Sequence, residues 1–192
     1  MKHTHLSRRR FMAAGSAVAG AALLAGPRAW AAPPAGLAEE AFIWGVPLVL
    51  TGRYLDVAAK ANLPFNQFIL SPDLATPKTR ALGANVDTLY GLGWLDLAAS
   101  PQVIGVPDTQ DRYYSIQLLD AYANSFAYIG RRATGTKAGA FALTAPGFEG
   151  KLPPGVTGIK APTSKVLAFV RTLVRGPEGI AIAHHGRGRT CF

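Results

Sequence analysis

Cysteine and histidine are scarce in this 192-residue chain, and their scarcity excludes several kinds of site. The single cysteine, Cys191, cannot form an internal disulfide, and a zinc or iron–sulfur site built from cysteines is not expected. Of the four histidines, two lie in the first five residues and two are His184 and His185. The intervening chain therefore has no histidine for a Ser-His-Asp triad, a metal site or acid–base catalysis near neutral pH.

Acidic residues are also few, at 11 against 20 lysines and arginines, which gives a formal net charge of +9. The first 31 residues hold five of the basic residues and no acid, so the remainder has a net charge of only +4. The longest basic run in that remainder is Arg131-Arg132, whereas nucleic-acid binders concentrate basic residues on a stripe with interleaved aromatics. No nucleic-acid partner is predicted. Binding to an anionic lipid or a nucleic acid, with strong salt dependence, is the weakest of the functional hypotheses.

What is present suffices for one folded domain. The chain is 49% hydrophobic and 16% charged, which is typical of a protein with a buried core and excludes a disordered tail. It contains no P-loop and no G-x-G-x-x-G motif before a helix. No cofactor and no metal are predicted.

The first 31 residues have the pattern of an export signal. The basic run SRRRFM at Ser7–Met12 precedes an Ala- and Gly-rich stretch, and Ala29-Trp30-Ala31 is a small-x-small cleavage site. The paired arginines before Phe11 resemble the twin-arginine motif, and Arg28 near the cleavage point favours that route. The apolar stretch, at about 15 residues, is shorter than the ~20 that span a bilayer. We predict cleavage before Ala32, a periplasmic or secreted protein and no transmembrane anchor.

After the signal the pattern is first helical. Apolar residues at three- and four-residue spacings predict a helix from Leu37 to about Ala61, with Glu39 and Glu40 in its first turn. Gly45-Val46-Pro47 predicts a kink or a division of this helix. Residues 62–84 are rich in proline and poor in periodic apolar positions, which predicts a long loop.

Beyond Asn85 the apolar period changes to two, which is typical of strands. The predicted strands are residues 88–97, 102–106, 113–119, 125–129 and 140–144. Residues 164–174 are apolar and β-branched and fit either a strand or a helix. Short, evenly spaced strands without intervening helices favour an antiparallel sheet or sandwich. The predicted fold class is therefore α+β, a helical segment followed by an antiparallel β-layer.

Three polar segments lie at ends of the predicted strands, where a cleft could gather them. They are Asn85–Tyr90, the hairpin-like turn Pro107–Tyr114 and Asp120–Asn124. Each also has an ordinary structural explanation. Asn85 and Asp87 could bond local backbone amides, and Arg112 could pair with Asp108 or Asp111 at the surface.

The composition changes abruptly after Gly179. Residues 180–192 contain both remaining histidines and Cys191, as a frameshift or a premature stop would produce. A His-His-x5-Cys metal site is the functional alternative, but adjacent histidines on a frayed tail hold a metal poorly. The predicted organisation is a signal peptide at 1–31, a domain at 32–179 and an atypical tail at 180–192.

The same residues resemble a known family. The chain is similar to the bacterial domain-of-unknown-function family 1254 (DUF1254) in the runs PFNQF, ANVDTLYGLGWLDL, VPDTQDRYYSIQLLDAYANSF and IKAPTSKVLAFVRTLVRGPEG. The resemblance covers about Leu37 to Gly179 and implies a helical part with a jelly-roll-like β-sandwich. It also implies an exported or lipid-anchored protein in which a second domain, DUF1214, follows. We expect this chain to be truncated before that partner domain.

Two stronger functional hypotheses stand beside binding to an anionic lipid or a nucleic acid. The first is a ligand-binding or assembly module that packs on the missing C-terminal domain. Such a module is compatible with binding a small-molecule ligand and with forming a homo-oligomer. The second is a hydrolase or lyase acting on a small molecule, because without histidine any catalysis must use carboxylates, Arg, Lys, Tyr, Asn and hydroxyls. We favour the module, because no catalytic constellation is recognisable.

The site candidates are the matching polar residues, which the family resemblance leaves without assigned roles. The catalytic candidates are Asp87 or Asp108 as general base, with Arg112 and Tyr113 stabilising developing negative charge. The ligand-binding candidates are Asn85, Tyr90, Asp120 and Asn124. An enzyme of this kind needs a carboxylate with a raised pKa in a concave site.

Overall fold

The structure is a computed structural model that describes residues 36–79 and 85–175. The chain divides into two units, residues 1–41 and 42–192, and only residues 36–41 of the first are described. The predicted export signal and the predicted tail at 180–192 lie outside the described residues.

One helix, α1 (Leu37–Lys60), confirms the predicted helix. It continues through Pro47, so the predicted division there is wrong, because a proline removes only one backbone hydrogen bond and the flanking turns propagate past it. The helix ends in a Schellman motif. The Leu63 amide donates to the Ala58 carbonyl at 2.9 Å, and Asn62 takes the left-handed conformation with φ 52°.

Eight strands follow within the described residues. They are β1 (Ile69–Leu70), β2 (Thr88–Asp96), β3 (Gln102–Val106), β4 (Tyr114–Leu119), β5 (Ser125–Gly130), β6 (Gly139–Thr144), β7 (Val156–Lys160) and β8 (Lys165–Leu173). Every predicted strand is present within one residue of its predicted bounds, and the ambiguous segment at 164–174 is strand β8. The sequence predicts neither β1, which lies in the predicted loop at 62–84, nor β7.

The strands form two sheets. The five-stranded sheet has the order β1-β2-β8-β4-β5 and is antiparallel throughout, and the three-stranded sheet has the order β3-β6-β7. The structure confirms the α+β sandwich, with one departure from the antiparallel prediction, since β6 and β7 run parallel. The segment at 107–113 is not a hairpin turn, because β3 pairs with β6 and the chain crosses there to the other sheet.

The core lies between the two sheets. Inner-face residues of the five-stranded sheet, such as Leu95, Ile116 and Val166, pack with Ile104 and Leu143 of the other sheet. All five are at most 2% exposed, and burying such a side chain contributes about 1.5–3 kcal/mol. On β8 the inner residues alternate with residues of the opposite side of the sheet, which we call the outer face.

One polar group lies in this core without a partner. The Tyr114 hydroxyl is buried and has no hydrogen-bond partner among the described residues. Burial raises the pKa of Tyr114 above its usual 10.0. Thr134 lies near enough to offset part of that rise, but its hydroxyl bonds with the Gly130 backbone instead of making a well-aligned bond to Tyr114.

We expect Tyr114→Phe to keep or increase stability, by up to about 1 kcal/mol, because it removes a buried polar group that has no partner. Since the folded pKa of Tyr114 lies above the unfolded value, wild-type stability should fall as the pH rises above about 10, and this loss should be smaller in the variant. Urea denaturation at pH 7 and at alkaline pH measures both effects. Tyr128→Phe, at a hydroxyl on an exposed residue, is the matched control. A clear loss of stability in Tyr114→Phe at pH 7 would contradict the assignment.

Candidate functional site

Three of the four catalytic candidates gather at one end of the five-stranded sheet, where β2 and β4 begin and β8 ends. The Asp87 carbonyl accepts from the Val174 amide at 2.7 Å, and the Tyr113 carbonyl accepts from the Leu173 amide at 3.0 Å. The Arg112 Nη1 donates to the Leu173 carbonyl at 3.1 Å. We call this the Arg112 end of the sheet.

The side chains at the Arg112 end make hydrogen bonds, ion pairs and ring contacts with other residues of the chain. The expected pairing of Arg112 with Asp108 or Asp111 is wrong, because Asp111 pairs with Arg131 at 2.9 Å and Asp108 pairs with Lys137 at 3.0 Å. Asn85 Oδ1 accepts from the Asp87 amide, and the Asp87 carboxylate accepts from the Thr88 hydroxyl. Tyr113 lies beside Arg132, with 5.8 Å between the Arg132 Cζ and the Tyr113 ring centre.

The pKa of Asp108 is lowered, first by the Gln110 amide that donates to its carboxylate and second by Lys137. A general base works best with a pKa near the working pH, so this lowering acts against Asp108 in that role. The role of Asp87 stays a prediction. Asp87 is exposed.

Two of the ligand-binding candidates, Asp120 and Asn124, lie at the opposite end of the sheet. Asp120 Oδ1 accepts from the amides of Tyr122 and Asn124 at 2.9 Å each, and Oδ2 accepts from Asn124 Nδ2 at 3.2 Å. Strand β4 separates them from Tyr113 by roughly 20 Å, at about 3.3 Å per residue. The eight candidates therefore do not form one cleft. We call this the Asp120 end.

The fourth ligand-binding candidate, Tyr90, lies on the outer face, among residues that the sequence analysis does not single out. Its β8 neighbour is Arg171, and the Arg171 Cζ lies 5.9 Å from the Tyr90 ring centre and 4.4 Å from that of Phe169. Arg171 Nη1 donates to Gln117 Oε1 at 3.0 Å. The signal for Arg171 in the sequence is a charged residue inside an otherwise apolar segment. This signal places Arg171 on the outer face only once residues 164–174 are known to form a strand.

Another cation on the outer face, Lys165, has a counter-ion. Its Nζ donates to Asp96, and this bond is the main cause of the lowered pKa of Asp96, followed by the Ala98 amide. Both side chains are about one-third exposed, so the pair contributes at most about 1 kcal/mol. The Lys165 Nζ also lies 5.6 Å from the Phe65 ring centre.

Helix α1 has two unlike faces. Thr51, Leu55 and Ala58 lie at helical spacing on one face, where Thr51 and Ala58 are buried. On the opposite face Phe42, Val49, Leu50 and Val57 are exposed, and we call these four residues the outer stripe. By length and composition alone α1 could cross a membrane, a test that signal sequences and buried core helices also pass, although little of α1 is buried.

No cluster of metal-ligating side chains is present in residues 36–79 and 85–175. In those residues no three side chains of the ligating types (His, Cys, Asp or Glu) come together as a metal site would require.

A family model described as "Protein of unknown function (DUF1254)" matches residues 65–189. The chain belongs to the DUF1254 family. The match includes all eight candidate residues and begins after α1, and it runs past Gly179 into the segment that the sequence analysis sets apart as a tail.

Solved structures also resemble this DUF1254 protein. The VPA0106 protein from Vibrio parahaemolyticus is 28% identical with a TM-score of 0.69, and the match covers 81% of this chain and 37% of that one. An uncharacterized protein from Burkholderia cenocepacia is 15% identical with a TM-score of 0.44, over 62% of this chain and 34% of that one. This DUF1254 chain thus spans little more than a third of the length of either. No curated protein matches it at a significant level.

Proposed function

We propose that this DUF1254 protein is an exported binding and assembly module whose helix α1 docks on a further domain of a longer polypeptide. The observation that carries the proposal is the outer stripe. Phe42, Val49 and Val57 are 71%, 57% and 62% exposed, although such side chains are normally buried in a soluble protein. An exposed group of apolar side chains of this kind is typical of a surface that another protein surface covers.

A protein domain fits the outer stripe better than a bilayer does. Arg53 and Asp56 lie within α1, and charged side chains disfavour a membrane-spanning helix, by about 2.5–3.5 kcal/mol each at its centre and by less towards its ends. Helix α1 also contacts the sandwich at Trp44, whose ring centre lies 4.9 Å from that of Tyr122. Because the outer stripe lies on the face opposite Thr51 and Ala58, it is accessible to a second domain.

The length of the VPA0106 protein supports a domain as the partner. Most of that chain lies outside the region that matches this one, so a homologous module exists there within a much longer polypeptide. The family resemblance of the sequence implies DUF1214 as the second domain. We propose that an intact version of this protein continues into such a domain.

The export part of the proposal rests on the N-terminal pattern. The twin-arginine-like run at Ser7–Met12 and the small-x-small site at Ala29–Ala31 support cleavage before Ala32 and a periplasmic or secreted location.

The docking proposal is tested with a thiol at position 49. Val49→Cys in a Cys191→Ser background should react quickly with a maleimide in the isolated chain. In a chimera in which this chain replaces the matching part of the VPA0106 protein, labelling should slow by about tenfold or more, because the docked domain protects the thiol. Lys137→Cys, at an exposed side chain of the Arg112 end, is the control and should react equally fast in both proteins.

Three results would contradict this proposal. Unchanged labelling of position 49 in a cooperatively folding chimera would mean that α1 is not the docking surface. Co-flotation of the isolated chain with phosphatidylglycerol vesicles, if it is lost in Val49→Asp, would mean that the outer stripe binds a bilayer. A stable dimer that protects position 49 in the isolated chain would identify a second copy.

The hydrolase or lyase alternative has one observation in its favour, the convergence of Asp87, Arg112 and Tyr113 on the end of β8. Against it, the Arg112 guanidinium donates to a backbone carbonyl and the pKa of Asp108 is lowered. The assembly module is therefore the better-supported function.

A further inference from the structure

Arg171 occupies the middle of the outer face. Its strand, β8, is the central strand of the five-stranded sheet, and its register neighbours are Tyr90 on β2 and Ser115 on β4. The residue is only partly exposed. A molecule that rests on this face can therefore meet the Arg171 guanidinium with strands on both sides of it.

The guanidinium is held in one orientation. Gln117 Oε1 accepts from Nη1 at 3.0 Å, and the Phe169 ring centre lies 4.4 Å from Cζ. Arginine binds carboxylates best when its planar group is fixed in this way, because less rotational freedom is lost on binding. The Arg171 side chain is thus preorganised.

The charge of Arg171 has no counter-ion in the part of the chain that the structure describes. The three ion pairs there use Arg131, Lys137 and Lys165 as their cations. Lys165 lies on the same face of the same strand as Arg171, and unlike Arg171 it has a counter-ion, Asp96. A partly buried cation without an anion is costly, and such groups are normally paired.

We propose that Arg171 is the anchor of a ligand site on the outer face, which binds the carboxylate of a small organic acid. The single positive charge of Arg171 balances one carboxylate, whereas a bound phosphate dianion would keep one uncompensated negative charge. The neighbouring outer-face residues Leu92, Leu167 and Phe169 are apolar and partly exposed, so the body of the acid is apolar as well. This proposal does not depend on the docking role of α1, and the two proposals are tested by separate experiments.

The test titrates the full chain with sodium benzoate and follows binding by NMR. Wild type should bind with a Kd on the order of 1 mM, as expected for a ligand of this size. Arg171→Gln should weaken binding by at least about tenfold, because a charge-assisted hydrogen bond is lost. Arg171→Lys should also weaken it, since lysine keeps the charge without the planar pair of donors.

Arg132→Gln is the matched control, because Arg132 also lies beside a tyrosine ring but at the exposed Arg112 end. It should leave benzoate affinity unchanged. If Arg171→Gln does not fold, Gln117→Leu serves instead. It keeps the cation but removes the acceptor that orients it, and should weaken binding several-fold.

Three results would overturn the assignment. Wild type could show no binding of benzoate up to about 50 mM, which is far above the expected Kd. Arg171→Gln and Arg132→Gln could bind benzoate as well as wild type. Inorganic phosphate could bind more tightly than benzoate, which would exclude a carboxylate with an apolar body as the ligand.

Discussion

Replacing Asp120 with alanine is expected to lower the free energy of unfolding by about 2–4 kcal/mol. Asp120 is 7% exposed, and its carboxylate accepts from the amides of Tyr122 and Asn124 and from the Asn124 side chain. Alanine leaves these donors without their acceptor in a loop where water replaces it poorly. The loop also contains Ala123 in the left-handed conformation, with φ 63°, so it has little freedom to rearrange. Urea denaturation followed by circular dichroism measures the loss.

Asp108→Ala is the matched control for this prediction. Asp108 makes the same kind of turn bond, from the Gln110 amide at 2.8 Å, but its side chain is 40% exposed. Water can take over as acceptor there, so the loss of stability should be much smaller. Equal losses in the two variants would show that burial does not distinguish the two loops. If Asp120→Ala kept full stability, Asp120 would not be needed for folding, and this result would favour the ligand-binding hypothesis for it.

Gly130→Ala is expected to cost about 2–4 kcal/mol, because steric overlap and backbone strain act together. Gly130 has φ 152°, and an added Cβ would overlap the Tyr114 carbonyl oxygen and lie 2.9 Å from the Ser115 Cα. These are backbone atoms of β4, which pairs with β5 at this position. Relief would therefore require a shift of one strand against the other.

Gly135→Ala separates strain from overlap. Gly135 also has a positive φ, at 84°, but an added Cβ there meets nothing within 4 Å. Alanine at this position should cost only about 1 kcal/mol, from strain alone. Thermal unfolding of both variants measures the difference, and equal losses would mean that the contact with β4 relaxes without cost.

The strands could be predicted wherever one face is buried. In β2 and β8 every second residue enters the core, so the period of two is visible in the sequence and the bounds follow from it. Strand β7 has no such alternation, because it is a largely exposed edge strand, and β1 has only two residues. Their positions depend on β6 and β2, which pair with them.

The candidate sites depend on pairing that sequence order does not reveal. Asp96 and Lys165 are 69 residues apart and still bond to each other. Asp120 and Arg112 are eight positions apart in the chain, yet they lie at opposite ends of the sheet because β4 runs between them. The same limit applies to Arg171, whose neighbours Gln117 and Tyr90 are supplied by two other strands.

The place of β8 in the sheet also determines when the protein can fold during its synthesis. Strands β2 and β4 are translated first, but they do not pair with each other, since β8 lies between them. Until Lys165–Leu173 has left the ribosome, the nascent chain lacks the strand that joins them, and their edges are open to pairing with another chain. Completion of the five-stranded sheet is a late, long-range step, which makes folding slow and leaves the facing edges of β2 and β4 unpaired until β8 has been translated.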